Sequence, residues 1–205
     1  MPREDMLADL AYARTLAEEG RRAPLLGGLH LVFWGVLNAI AFTAHWAILT
    51  GLIPTGPWGF AYLWAGYGVA AGIGMTLLRR RVRAKPGATT IGARAEHAVW
   101  SGAGAALTAI ALGSIGRMVL GGDPTAPNVI FGAAFGFYGA ALIAVATLAQ
   151  QRWMGWYGLV SVLIALLLCL FANQTWAYLI AAAGSAAVLI VPGAVLLKNE
   201  PSATV

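Results

Sequence analysis

The chain has 205 residues, of which 60% are hydrophobic and only 10% charged, whereas a soluble domain carries about a quarter charged residues. That is too little polar surface to coat a water-soluble globule, and it leaves a polytopic membrane protein. The formal charge of +5 would suit nucleic acid, but the basic residues gather at the ends of apolar runs, where the positive-inside bias puts them. Nucleic acid is therefore excluded as a partner, and the lipid bilayer takes its place.

Residues 1–23 read as a cytoplasmic amphipathic helix. Met6, Leu10, Ala13 and Ala17 recur at helical spacing and form one modest apolar stripe. The charges nearly cancel, with Arg3, Arg14, Arg21 and Arg22 set against Glu4, Asp5, Asp9, Glu18 and Glu19. A helix seeking anionic lipid would be strongly basic. This one suits contact with protein, or else stands as a solvated lead-in.

The apolar run at 24–52 follows, too long for the core of a signal peptide and long enough to cross a hydrocarbon layer of ~30 Å, which takes ~20 helical residues. It reads as a retained anchor. Five similar runs come after it, so the spacing predicts an all-α integral membrane protein with helices at 25–50, 58–78, 97–120, 128–149, 153–171 and 175–197. A short tail, 199–205, closes the chain. Turn chemistry at Thr55, Gly56 and Pro57, at 121–124, and at Asn173 and Gln174 separates the runs.

Lys and Arg set the orientation. Four lie in the N-terminal segment, six in the second connection (Arg79, Arg80, Arg81, Arg83, Lys85, Arg94), and one each at Arg152 and Lys198; Arg117 alone lies near the other face. The bias puts both termini in the cytoplasm and the bundle in the inner membrane. Gly68 with Gly72, Gly132 with Gly136, and Gly102 with Ala106 have the small-xxx-small spacing that allows close helix packing. Trp58, Tyr62, Trp153, Trp156, Trp176 and Tyr178 lie near helix ends, as an interfacial belt would. Cys169, inside an apolar run, supplies no disulfide or metal motif and reads as a small buried apolar residue.

An internal repeat runs through the helices. His30, Phe33 and Gly35 align with His97, Trp100 and Gly102, and Trp156 and Gly158 fit the same pattern. Among the even-numbered helices Tyr62, Gly68, Ala70 and Ala71 match Tyr178, Gly184, Ala186 and Ala187. Tyr67, Gly68 and Thr76 match Tyr138, Gly139 and Thr147. The expected architecture is three tandem hairpins of one topology.

The groups that could carry chemistry are few. None of the eight acids falls in mid-membrane, which disfavours carboxylate-coupled transport and paired-carboxylate catalysis. Neither a phosphate-binding glycine loop nor a hydrolase or zinc motif occurs, so an enzyme is not expected. His30, Trp34, Asn38, Ala41 and His45 share one face of the first helix. That face should look into the bundle, either as hydrogen-bonding glue between helices or as the wall of a small pocket. Trp34, Asn38, His45 and Arg117 are the candidate ligand-binding residues, His45 and Arg117 sharing an outer vestibule unless Arg117 snorkels to the interface or pairs with Asp123. His30 and His97, equivalent in the repeat, are the only candidates for haem or metal ligation; no ligand-spacing motif accompanies them, and no cofactor is expected.

Two functions fit this pattern. One is a non-catalytic regulatory, sensory or accessory component that docks a cytoplasmic or membrane protein through residues 3–22 and 79–97. The other is a small-solute-binding protein or permease with a pocket lined by the first-helix stripe and tryptophans.

Overall fold

The computed structural model describes residues 11–12, 25–85 and 90–199. Apart from Ala11 and Tyr12, the N-terminal amphipathic segment lies outside the described residues, as does the tail beyond Asn199. Among the described residues the chain is all-helical. Six helices are long and apolar enough to cross a membrane, as a multi-pass protein requires. They are α1 (Gly28–Leu49), α2 (Gly59–Arg83), α3 (Ile91–Gly121), α4 (Val129–Leu148, entered through a 3₁₀ turn at Ala126–Asn128), α5 (Arg152–Leu170) and α6 (Ala177–Asn199).

Local chemistry sets the helix ends. Helix α1 stops where Gly51 turns left-handed at φ +76, its amide on the Ile48 carbonyl, while the Thr50 hydroxyl donates to the Trp46 carbonyl. Helix α3 stops at left-handed Gly122. Between α4 and α5 the left-handed residue is Gln150, and the Gln151 amide reaches back to the Ala146 carbonyl, closing a short hairpin. The apolar runs mark where lipid begins, not where the helix does. Helix α2 continues through its arginines to Arg83, and α3 starts at Ile91, ahead of the expected 97, because Thr90 caps it by accepting from the Ala93 amide.

Two interfaces dominate. Helix α4 lies along α5, and α1 lies antiparallel along α6. Glycine makes both possible. A Cβ on Gly139 would come 2.8 Å from the Gly158 carbonyl, and one on Gly158 would come 3.0 Å from that of Gly139. Gly28 and Gly193 face each other in the same way across α1 and α6. Higher up, Gly35 accommodates a wide π-helical turn at Ala186–Ile190. Pro192, just beyond that turn, has no amide hydrogen to give the preceding turn, which accounts for the widening.

The sequence-adjacent pairs α1–α2, α3–α4 and α5–α6 are also in contact, but α2 and α3 share no packed face. Helices α1, α4, α5 and α6 thus form the core, around Phe135, Leu142, Met154, Leu168 and Leu189. Helix α2 flanks α1, and α3 flanks α4. Only 6% of the membrane window of α2 or α3 is buried, against 50% for the spans containing α4 and α6.

Three expectations change with this arrangement. Gly132 packs against Cys169, but Gly68, Gly72, Gly102 and Gly136 have open space beyond their Cα atoms, because the helices that could have covered them pack elsewhere. Cys169 is exposed on α5, not buried, with its Sγ turned toward Gly132. Tyr178 belongs to the core and not to an interfacial belt, whereas Trp58, Tyr62 and Trp156 are exposed as a belt requires.

Candidate functional site

The polar stripe of α1 faces inward, and most of it is hydrogen-bonded or stacked. Asn38 is 2% exposed at mid-span. Its Nδ2 donates to the Tyr138 hydroxyl of α4 at 3.0 Å, and its Oδ1 accepts from the Tyr67 hydroxyl of α2 at 2.7 Å. One amide therefore ties three helices together. The spacing explains the choice of residue, since an amide offers a donor and an acceptor in opposite directions and hydrocarbon offers neither. The Tyr138 O–H, whose oxygen accepts from Asn38, has no acceptor of its own among the described residues.

Rings surround this triad. Trp34 sits edge-on to Phe33 at 5.5 Å and tilted against Tyr67 at 6.3 Å, and Trp100 of α3 lies 6.5 Å from Tyr138. Ala41, one turn above Asn38, is small and buried, while its neighbour Phe42 reaches Phe131 of α4 and Trp64 of α2.

His45 is held near the far end of α1. Its ring stacks on Tyr178 of α6 at 4.0 Å and 12°, with Phe60 4.5 Å away. The Trp64 indole N–H donates to His45 Nδ1 at 3.1 Å. An indole nitrogen only donates, so Nδ1 is unprotonated and the neutral ring carries its hydrogen on Nε2. Tyr178 passes the network outward, donating to Asn128 Oδ1 at 2.7 Å, and Asn128 Nδ2 donates to Asn173 Oδ1 at 2.9 Å.

Arg117 does not join His45. Its side chain is 72% exposed and donates to Asp123 Oδ2 at 2.8 Å. Asp123 Oδ1 in turn accepts from the Thr125 hydroxyl and amide. These bonds, the hydroxyl first, hold the Asp123 carboxyl below its ordinary pKa, with Arg117 assisting. The pair closes the α3–α4 turn, so the shared outer vestibule is not formed.

His30 and His97 lie at the other end, where the arginine-rich connection joins α2 to α3. His97 is exposed, with Nε2 3.4 Å from the Ser101 hydroxyl, and His30 is half-buried in α1. No group of three or more His, Cys, Asp or Glu side chains gathers anywhere among the described residues. Comparison with known proteins adds no identity: no family model, curated protein or solved structure matches the chain.

Several residues of the network escaped the sequence reading. Tyr67 and Tyr138 carried a usable signal, for a tyrosine at mid-span is too deep for the interface and must find a partner inside. Glu96 carried none. It is buried, and its carboxylate accepts from the Leu26 and Gly27 amides at 3.0 and 3.1 Å, capping the start of α1.

Proposed function

We propose that this chain is a non-catalytic regulatory, sensory or accessory component of the inner membrane, with both termini in the cytoplasm. Its docking surface is the cytoplasmic face formed by residues 3–22 and 79–97, continued along α2 and α3. One observation carries the reading: two of six spans are left almost uncovered, 6% buried in each window, and they are the two joined by the arginine-rich connection. The open glycines on them leave room for close approach of a partner helix. The three-hairpin repeat belongs to the same reading and has its own support. Tyr67 and Tyr138, equivalent in the repeat, both bond the one amide of Asn38.

The test is quantitative co-purification of the tagged full chain and of a variant lacking residues 1–22 from the cells that make it. The reading expects one stoichiometric membrane partner, lost on deletion while the melting temperature of the bundle is unchanged. No stoichiometric partner, or one retained by the shortened chain, contradicts it.

A second reading, a small-solute-binding protein or permease, is favoured by the Tyr138 O–H, which has no acceptor among the described residues, inside a wall of Trp34, Trp100 and Tyr67. A small solute with an acceptor oxygen would complete that group. A thermal-shift screen of polar metabolites tests it. A stabilising ligand whose effect vanishes in Tyr138→Phe supports it, and the absence of any such ligand removes it.

A further inference from the structure

We propose that the basic end of the gap between α2 and α3 binds the phosphate headgroup of an anionic phospholipid, with the acyl chains lying along the uncovered faces of the two helices. The site is made by three helix ends drawn to one place. Glu96 accepts from the Leu26 and Gly27 amides and so clamps the start of α1 to the start of α3, bringing His97, the next residue of α3, beside the first turn of α1. On the other flank the Phe33 ring fills the space over Gly74 of α2. Helices α1 and α2 run antiparallel, so one turn back from Phe33 and one turn on from Gly74 bring His30 level with Leu78 and Arg79. His30 accordingly lies within electrostatic reach of His97, Arg79 and Lys85.

The chemistry of this place suits a phosphate monoanion or diester. Arg79 offers a guanidinium fork and has no carboxylate partner among the described residues. His30 and His97 add ring donors. Among the described residues, the acid beside this place is Glu96, whose carboxylate accepts from the α1 amides.

Depth and surroundings select a lipid over free phosphate. The apolar runs end at Leu78 on α2 and begin at His97 on α3, so Arg79 and His97 lie at their edges, at headgroup level. Beyond Arg79, on its own face of α2, Ala65, Gly68 and Gly72 are exposed, and Gly102 and Gly104 of α3 have open space. A phospholipid satisfies both parts, its phosphate on the cations and its chains on the apolar flank. Lipid recognition by basic pockets between membrane helices has this form.

Native mass spectrometry of the full chain, purified in neutral detergent and titrated with phosphatidylglycerol or phosphatidylcholine, tests the site. The expected result is one phosphatidylglycerol retained in preference to phosphatidylcholine. Arg79→Gln should weaken its retention about tenfold, the loss of one charge-assisted contact, while Arg79→Lys retains most of it. His97→Gln, an exposed change that leaves the fold intact, should weaken it several-fold. Arg152→Gln, at the same end but on α5, should have no effect. Equal retention of the two lipids overturns the proposal, as does an Arg152→Gln loss matching that of Arg79→Gln. Displacement of the lipid by millimolar inorganic phosphate would make the ligand a free anion, and that too overturns it.

Discussion

Asn38 does at one position what the rest of the α1 stripe does along its length: it satisfies polar groups that lipid cannot. Its amide joins Tyr67 and Tyr138 from two other helices, so removing it orphans two phenol hydroxyls at once. Hydrogen bonds between membrane helices contribute about 0.6 kcal/mol on average and at most about 1.7. Asn38→Ala should therefore destabilise the bundle by about 1–3 kcal/mol in denaturant unfolding. Tyr67→Phe should cost less than half of that, and the two changes should be non-additive; additive costs would mean the bonds do not form. Asp123 offers a test by pH. Its pKa is lowered from 3.8, so the bonds to Thr125 and Arg117 stabilise the turn fully above about pH 4 and are lost as pH falls through the depressed value. A carboxyl NMR titration should place the Asp123 midpoint below 3.8, and Thr125→Val should move it up. An unshifted midpoint, or no response to Thr125→Val, would contradict the turn geometry. The reach of sequence reasoning is visible here. Spacing alone put His30, Trp34, Asn38 and His45 on one face, but it could not show that His45 stacks on Tyr178 while Arg117 turns outward to Asp123, because that depends on which helices meet.

Between elements, backbone proximity at glycine decides the packing. Helices α4 and α5 cross where Gly139 and Gly158 oppose each other, reinforced by the buried Ser161 hydroxyl on the Phe135 carbonyl at 2.7 Å. Overpacking a tight contact costs about 1–3 kcal/mol or more. Gly139→Leu should lower stability by at least that much, whereas Gly72→Leu, with open space beyond it, should leave the melt of the isolated protein unchanged. If both variants melt alike, the α4–α5 crossing is wrong. The helices themselves were legible from their apolar runs, although α2 runs past its own to Arg83 and α3 starts ahead of its own at Ile91. Their partners were not. Small-xxx-small spacing recurs throughout this glycine-rich chain, and it marks Gly68 and Gly102, which are open, as readily as Gly132, which is packed. Nothing in one-dimensional spacing separates a face that meets a helix from one that meets lipid, since both are small and apolar.

At the scale of the whole molecule, four helices share a core and two stand beside it with a gap between them. The arginine-rich connection spans that gap at the end of the bundle that the positive-inside bias assigns to the cytoplasm. The proposed docking face and the lipid site both depend on this orientation and on six crossings. Single cysteines in a Cys169→Ala background, labelled in intact cells with a membrane-impermeant maleimide, test it most directly. The account predicts labelling of Leu52→Cys, Pro124→Cys and Gln174→Cys from outside, and of Ala84→Cys and Asn199→Cys only after lysis. Labelling of Ala84→Cys or Asn199→Cys in intact cells, or protection of the three outer sites, would contradict it.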